Sequence, residues 1–307
     1  MQRLIVVYNQ NSSQYIHVRT EVLDRLKELK SFTIGKFTIE KTNFEDNVKR
    51  LSAVLKDDDF VIAAGGDATA AIAMNAIAKS DKNITLGVLP YGNFNDLAHT
   101  LGMLNFDDMF KILNQTPKTS KLYPLEIIID DKYWRHASCY VTIGMTGESV
   151  EIFDQPKIRK NLKKGHRSSW RSYFSLAKWY FKNRHKKIFL PELSINGVKQ
   201  SPKTSDYFAV NGKSVCRIMK GNKDFLQPKV FHSTARTLTN FCKLITFMAK
   251  SILRHVPATK TTGDILEFEH PATIELQAEG EYKVFTDTKK IEIKKSSHPV
   301  TVICRWI

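Results

Sequence analysis

Residues Phe60–Leu101 give the strongest indication of the fold; they read FVIAAGGDATAAIAMNAI over 60–77 and ITLGVLPYGNFNDLAHTL over 84–101. Twice, an apolar run ends in a glycine-containing turn that passes into a helical pattern. Such turns let backbone N–H groups approach a phosphate, and the following helix N-terminus adds favourable partial charge. The sequence therefore predicts two strand–turn–helix units that suit an anionic ligand.

Each of the two turns also contains one acidic residue, Asp67 in the first and Asp96 in the second. A carboxylate beside a phosphate would repel it unless a cation bridges the two or the acid takes a proton from a hydroxyl group. Asp67 is therefore a candidate base or metal ligand, and sequence alone does not separate these roles.

The pattern of the whole chain indicates an α/β fold followed by a mainly β part. Strand and helix patterns alternate from residue 3 to about 115, which favours a mostly parallel sheet with ligands at the strand carboxyl ends. We expect early elements at Arg3–Asn9, Phe37–Glu40 and Asp46–Leu55, and a buried helix after Thr69. From residue 122 strand-like runs dominate, among them Leu122–Asp130 and Tyr133–Thr142, joined by a predicted hairpin.

Composition narrows the function classes. The chain has 307 residues, 42% of them hydrophobic, which is enough for two domains. Its four cysteines form no CxxC pair, and no apolar run reaches the roughly 18 residues of a membrane span. We expect a cytoplasmic protein. The net charge of +16 favours a polyanionic partner, leaving open nucleic acid, an anionic membrane surface or phosphorylated substrates.

The most basic part of the chain lies at 155–190, with twelve Lys or Arg residues and no acid. Aromatic residues recur there at helical spacing, so we predict an amphipathic basic helix over 157–187. It would suit an anionic membrane interface, with the protein peripheral on the inner face of the membrane, or its aromatic stripe would pack on the β domain. Nucleic acid is the less expected partner. A second amphipathic helix is predicted at Leu238–His255.

Three motifs together resemble the diacylglycerol kinase catalytic family of lipid kinases, which is related to NAD kinases and 6-phosphofructokinases. Gly65-Gly66-Asp67-Ala68-Thr69 resembles that family's Gly-Gly-Asp-Gly-Thr, and Pro90–Asp96 resembles its Pro-x-Gly-Thr-x-Asn-Asp. Gln277-Ala278-Glu279-Gly280-Glu281 resembles a Gln-x-Asp-Gly-Glu element near the family's C-terminus. Asn9 to Ser13 matches the family's opening Asn-Pro-x-Ser-Gly only at Asn9 and Ser12.

The resemblance implies an architecture and a set of site residues. The expected layout is an α/β nucleotide-binding domain at 1–121, a β-sandwich-like lipid domain at 122–300, and a strand at 301–307 that returns to the first domain. The implied cofactors are ATP and Mg²⁺. By role, the implied residues are catalytic Asp67 and Glu279; nucleotide-binding Asn9, Ser12, Gly65, Gly66, Thr69, Gly92, Asn95 and Asp96; and metal-binding Asp96 and Glu281.

The resemblance also implies a reaction, the phosphorylation of a hydroxyl group on diacylglycerol or a related lipid. Ala68 and Asn93 depart from the family pattern, and no Asp-Gly element is found near Pro228–Thr239. These departures keep a catalytically weak nucleotide- or lipid-binding protein open. A kinase of a soluble metabolite such as NAD is the other alternative, and homodimerisation is left open.

Overall fold

The computed structural model of the chain describes residues 1–12, 14–40, 43–92, 94–115, 117–144, 147, 178–179, 181–183, 192–200, 206–215, 219–236 and 259–305. The chain divides into two compact units. The first comprises Met1–Pro124, Leu226–Pro228 and Ser296–Ile307, and the second comprises Leu125–Phe225 and Lys229–Lys295.

The first unit alternates strands and helices. In order, its elements are β1 Gln2–Tyr8, α1 Tyr15–His17, β2 Phe32–Thr38, α2 Phe44–Val54, β3 Phe60–Gly65, α3 Asp67–Ser80, β4 Thr85–Pro90, α4 Asp96–Leu101, α5 Phe106–Leu113 and β5 Thr119–Leu122. Helix α1 continues into a π-helical stretch, Val18–Leu23, and a 3₁₀ turn, Arg25–Glu28.

The second unit is built from strands. They are β6 Leu125–Ile129, β7 Lys132–Ala137, β8 Tyr140–Gly144, β9 Glu192–Ile195, β10 Val198–Gln200, β11 Asp206–Val210, β12 Ser214–Val215, β13 Met219–Lys220, β14 Phe231–Arg236, β15 Thr259–Gly263, β16 Ile265–Ala278 and β17 Glu281–Lys295. The last strand, β18 Val300–Ile303, belongs to the first unit.

The first sheet has the strand order β2-β1-β3-β4-β18-β5. Its pairs are parallel except β18 with β5, which is antiparallel. The predicted fold class, an α/β domain with a mostly parallel sheet followed by a mainly β domain, is confirmed. The last strand pairs Thr301 with Thr85 of β4, so the chain end is part of this sheet.

Helix α3 is buried because its sequence is apolar on every side. Ala70 to Ile77 are all buried, as expected for a helix that packs against a sheet. The polar exception is Asn75, whose side-chain amide donates to the Ala71 carbonyl at 2.9 Å. This bond satisfies a buried polar group. Asn75 therefore has a structural explanation within its own helix.

The second unit contains an antiparallel sheet in the order β15-β14-β11-β8-β16-β17-β6-β7, with β9 also paired to β16. Its predicted first hairpin is present, and Asp130 and Asp131 have φ values of 49° and 62°. Two adjacent left-handed residues form the turn that suits the twist of a two-residue hairpin. One apolar core includes Ile127, Val141, Phe268 and Ile293.

Three predicted strands needed correction. The run Leu122–Asp130 is divided at Tyr123 and Pro124, so that Leu122 ends β5 and Leu125–Ile129 forms β6. The second strand is Phe32–Thr38 and not Phe37–Glu40, because Gly35 lies inside the strand instead of preceding it. The predicted run Tyr133–Thr142 is interrupted at Ser138 and Cys139, which separate β7 from β8. The backbone N–H groups of these two residues donate to a side chain and not to a neighbouring strand.

Two predictions fall largely or wholly outside the described residues. Of the basic segment 157–187 only 178–179 and 181–183 are described, as helix. The predicted helix Leu238–His255 lies outside the described residues altogether. Among the helices that are described, none combines the length and the hydropathy needed to cross a membrane.

Candidate active site

Three turns of the first unit lie at the same edge of the parallel sheet. They follow β1, β3 and β4 and contain Asn9, Asp67 and Asp96 respectively. Strand β1 lies between β2 and β3, so the strand order reverses between β1 and β3. In open α/β sheets ligands bind outside the carboxyl ends of the strands at such a switch point. The sequence-predicted nucleotide residues of this unit are therefore brought to the expected edge.

The turns after β3 and β4 touch each other through glycines. A Cβ atom added to Gly92 would stand 2.2 Å from the Gly66 Cα atom, a distance that real Cβ atoms do not show. The Tyr91 N–H also donates to the Gly65 carbonyl at 3.0 Å. The close approach of the two backbones therefore explains why positions 66 and 92 are both glycine. The two sequence motifs form one structural feature.

The Asp67 carboxylate joins the two turns. It accepts the backbone N–H of Asn95 at 3.0 Å and that of Leu97 at 3.4 Å. Burial and the nearby carboxylate of Asp96 raise the pKa of Asp67 to about 7, against the opposing effect of these backbone hydrogen bonds. An acid of this pKa exists in both protonation states near neutrality, which suits proton transfer.

Asn95 serves the turn with its side chain. Its Oδ1 accepts the Gly92 N–H at 2.7 Å and its Nδ2 donates to the Gly92 carbonyl at 2.9 Å. The residue is buried and has a φ of 54°, a conformation that Asn tolerates better than most residues. Both polar atoms of the side-chain amide therefore hold Gly92. The role of Asn95 toward a nucleotide stays a prediction.

The remaining nucleotide-site candidates of this unit also make local contacts. Asn9 Oδ1 accepts the Asn11 N–H at 2.8 Å, and Ser12 Oγ accepts the Gln14 N–H at 3.3 Å. Thr69 is buried, and a Cβ on Gly65 would lie 2.3 Å from its Oγ1. These side chains shape the turns after β1 and β3. Their contact with a nucleotide stays a prediction.

In the second unit, Glu279 lies at the turn between β16 and β17. Its Oε1 accepts the Ser138 N–H at 2.5 Å, the Ser138 hydroxyl at 2.9 Å and the Cys139 N–H at 2.9 Å. Glu279 is 3% exposed and has a φ of 54°. The carboxylate thus fastens this turn to the break between β7 and β8. Its proposed catalytic role stays a prediction.

Glu281, the other acid of the same element, forms an ion pair with Arg135. The Arg135 side chain is 2% exposed, and its guanidinium lies 4.0 Å from the centre of the Trp134 ring. In the part of the chain that the structure describes, no cluster of three or more His, Cys, Asp or Glu side chains could hold a metal ion. The role of Glu281 as a metal ligand stays a prediction.

Sequence reasoning did not single out Arg135, Ser138 or Cys139. In the sequence, Arg135 lies within a strand-like run, and the small residues Ser138 and Cys139 follow it three and four positions later. Their partners are 140 or more positions away along the chain. The two sets of candidate residues thus lie in different compact units, Asp67 and Asp96 in the first and Glu279 and Glu281 in the second.

Comparison with known proteins gives a family match within the first unit. A family model described as the diacylglycerol kinase catalytic domain matches residues 3–122. The match covers 120 of the chain's 307 residues, and it shows what this part of the chain is similar to. The predicted resemblance is thereby confirmed for the part of the chain that contains the Gly65–Thr69 and Pro90–Asp96 turns.

Individual relatives agree with this assignment. The chain is 33% identical over 105 residues to a diacylglycerol kinase of Bacillus subtilis, and the match covers 34% of each protein. Matches to whole structures show the fold. A diacylglycerol kinase from Bacillus anthracis aligns with a TM-score of 0.66 at 13% identity over 99% of this chain and 97% of that one. An NAD kinase from Archaeoglobus fulgidus in complex with ATP aligns with a TM-score of 0.51 at 12% identity, over 99% of this chain and 94% of that one.

Proposed function

We propose that the protein is an ATP- and Mg²⁺-dependent lipid kinase that phosphorylates a hydroxyl group of diacylglycerol or a related lipid. The observation that carries the proposal is Asp67, an acid with a pKa of about 7 held where the two motif turns meet. It lies within the region that matches the diacylglycerol kinase catalytic domain.

Asp67 is proposed as the general base. In its ionised form it would take the proton of the lipid hydroxyl as the hydroxyl oxygen bonds to the γ-phosphorus of ATP. The bond between that phosphorus and the bridging oxygen breaks, and ADP leaves. A pKa near 7 leaves about half of the enzyme with an ionised base at neutral pH.

The nucleotide is proposed to bind at the switch point between β1 and β3. Helix α3, 14 residues long, begins at Asp67 directly after the glycine pair, so its N-terminus faces this edge. The N–H groups and partial positive charge of a helix N-terminus favour a phosphate. The ATP complex of the structurally similar NAD kinase supports ATP as the nucleotide.

Mg²⁺ fits the chemistry of this edge. Asp67 and Asp96 are close enough for the charge of one to raise the pKa of the other, a repulsion that a divalent cation would relieve. Carboxylate oxygens are the ligands that Mg²⁺ prefers in proteins, together with phosphate oxygens. We assign Asp96 as a ligand and leave Asp67 as base. When bound, the cation would neutralise phosphate charge.

The lipid acceptor is inferred from the relatives and from charge. The curated relatives include diacylglycerol kinases and an acylglycerol kinase. With a net charge of +16, the protein suits an anionic membrane surface, where such lipids reside. We therefore expect a cytoplasmic protein that binds peripherally to the membrane, with the basic segment 157–187 as the proposed contact.

Two alternatives have specific support. The NAD kinase neighbour leaves room for a soluble acceptor, since its fold extends over the whole chain. Ala68, where the family pattern has glycine, occupies the first turn of α3 and favours a protein that binds nucleotide with little turnover. Transfer that needs no vesicles would support the first alternative, and ATP binding without transfer would support the second.

The decisive experiment measures ATP-dependent phosphate incorporation into vesicles made from a mixed lipid extract, with and without Mg²⁺. Asp67→Asn should abolish the product while the variant stays folded. Asp81→Asn is the matched control, because Asp81 is exposed and has a left-handed φ that Asn adopts readily. Full activity of Asp67→Asn would contradict the proposed site, and absence of product from the wild-type protein would contradict the kinase itself.

A further inference from the structure

Outside the candidate base and its immediate neighbours, one polar network ends at the turn after β4. The Tyr91 hydroxyl donates to Glu21 Oε2 at 2.9 Å, and His17 Nδ1 lies 2.9 Å from Glu21 Oε1. Glu21 belongs to the π-helical stretch Val18–Leu23. π-Helical insertions are rare, and they occur frequently at functional sites.

Tyr91 connects the turn after β4 both to the turn after β3 and to Glu21. It lies between Pro90, the last residue of β4, and Gly92, which packs on Gly66. Its N–H donates to the Gly65 carbonyl, while its side chain reaches Glu21. Burial and the bond to Glu21 raise the pKa of Tyr91, so the hydroxyl remains a donor throughout the physiological range.

The helical segment that carries Glu21 is itself held in place. Arg25 forms an ion pair with Asp107 at 2.6 Å and lies 5.0 Å from the centre of the Phe106 ring. Val22 of the π-helical stretch and Leu26 of the adjoining 3₁₀ turn Arg25–Glu28 are fully buried. Packing and the ion pair of Arg25 therefore hold the segment that carries Glu21 in place. The hydrogen bond from Tyr91 to Glu21 connects this segment to the turn after β4.

We propose that Glu21 and Tyr91 are positioning residues, a tether that holds the turn Tyr91–Asp96 in the geometry needed for Asp67 to act. The inference rests on the proposed function. The N–H groups that Asp67 accepts belong to Asn95, within this tethered turn, and to Leu97, directly after it. Loosening the tether would therefore shift the reacting carboxylate, and a misplacement of about 1 Å can lower a rate up to 10²-fold.

The kinetic test compares Tyr91→Phe, Glu21→Ala and the double variant in the vesicle assay. Each should lower kcat about 5-fold with less than about a 2-fold change in KM for ATP, and the double variant should be no worse than either single variant. Glu21→Gln should retain kcat because its amide oxygen still accepts from Tyr91. Glu28→Ala is the matched control, an exposed glutamate on the adjoining 3₁₀ turn.

Amide hydrogen exchange gives a second readout that does not need activity. The peptide spanning Tyr91–Asp96 should exchange faster in Tyr91→Phe and Glu21→Ala than in the wild type, Glu21→Gln or Glu28→Ala. Unchanged exchange would overturn the tether, and unchanged kcat or additive losses in an active enzyme would overturn the positioning role. An inactive wild-type protein would count against the proposed function, and exchange would then decide the tether.

Discussion

Gly66 and Gly92 are in backbone contact, so the turns that follow β3 and β4 are packed on one another without an intervening side chain. The contact places the Asn95 N–H within 3.0 Å of the Asp67 carboxylate. Because each glycine lies in a different sequence motif, the two motifs depend on each other for their geometry. Four predictions follow from this contact and from the ionisable groups of Asp67, Glu279 and Lys295.

Gly92→Ala should destabilise the first unit. The added methyl group would stand 2.2 Å from Gly66 Cα and 2.8 Å from Asn95 Oδ1, so the turn must open. Overpacking of this kind lowers the free energy of unfolding by about 1–3 kcal/mol. Urea denaturation followed by circular dichroism measures this loss, and phosphate transfer should fall with it.

The matched control for this substitution is Gly35→Ala in β2. A Cβ there would meet Ile5 at 3.5 Å, an ordinary van der Waals contact. Because alanine loses less backbone entropy on folding than glycine, this variant should be neutral or slightly stabilised. If Gly92→Ala and Gly35→Ala lowered the free energy of unfolding equally, the Gly66–Gly92 contact would not be the reason for the loss in Gly92→Ala.

The pKa of Asp67 predicts a pH dependence of stability. Its folded-state pKa of about 7 lies above the ordinary 3.8, so the protonated acid is favoured by folding. Its contribution is fully present below pH 3.8 and is lost as the pH rises through about 7. Relative to Asp67→Asn, the wild-type protein should therefore lose on the order of 1–3 kcal/mol between pH 5 and pH 8.

This dependence is measured by urea denaturation of both proteins at several pH values. Asp81→Asn corrects for the general effect of removing a carboxylate, since Asp81 is exposed. Activity should change in the opposite direction, because the base must be ionised: kcat should rise as the pH increases through about 7. Parallel stability curves for the wild type and Asp67→Asn would exclude a perturbed acid at this position.

Local pattern was sufficient for much of the fold. Apolar runs that end in glycine predicted β3, β4 and the helices after them, and the uniformly apolar sequence of α3 predicted its burial. The place of Asp67 and Asp96 at the carboxyl edge followed from the same pattern, because parallel strands present their ends together. The limits of β2 were predicted less well, since glycine inside a strand resembles a break.

The contacts made by the site residues could not be predicted from the sequence. That Asp67 accepts N–H groups of the next turn depends on the close approach of two backbones. That Glu279 fastens Ser138 and Cys139 depends on pairing between β8 and β16, which are more than 120 residues apart. Such long-range partners leave no periodicity in the chain, because each end is locally an ordinary turn or strand residue.

The three hydrogen bonds to Glu279 predict a graded response to substitution. Glu279→Ala would leave the N–H groups of Ser138 and Cys139 buried without this acceptor, at about 1–3 kcal/mol for each unsatisfied group. Glu279→Asp, which restores the residue of the family motif, is shorter by one methylene and should lose on the order of 1–2 kcal/mol. Glu279→Gln keeps an acceptor oxygen and should lose least.

Urea denaturation gives the order of the three variants. The matched control is Glu269→Ala, because Glu269 is an exposed glutamate of the same strand β16, whereas the nearer Glu275 is half-buried. If Glu279→Asp were as stable as the wild type and also more active, the buried geometry would not be the reason for glutamate at this position.

The last prediction concerns Lys295, which is 7% exposed and donates to the carbonyl groups of Phe225 at 3.2 Å and Asp224 at 3.5 Å. Burial lowers its pKa to about 8 from 10.5, against the opposing charge of Asp224. Its contribution to stability is therefore present above pH 10.5 and is lost as the pH falls through about 8.

Relative to Lys295→Met, the wild-type protein should gain on the order of 1–2 kcal/mol between pH 8 and pH 10. Urea denaturation at these pH values measures the gain, and Lys289→Met, at an exposed position of the same strand, should show none. Absence of a gain in the Lys295→Met comparison would mean that Lys295 titrates like a surface lysine, and this would contradict the prediction.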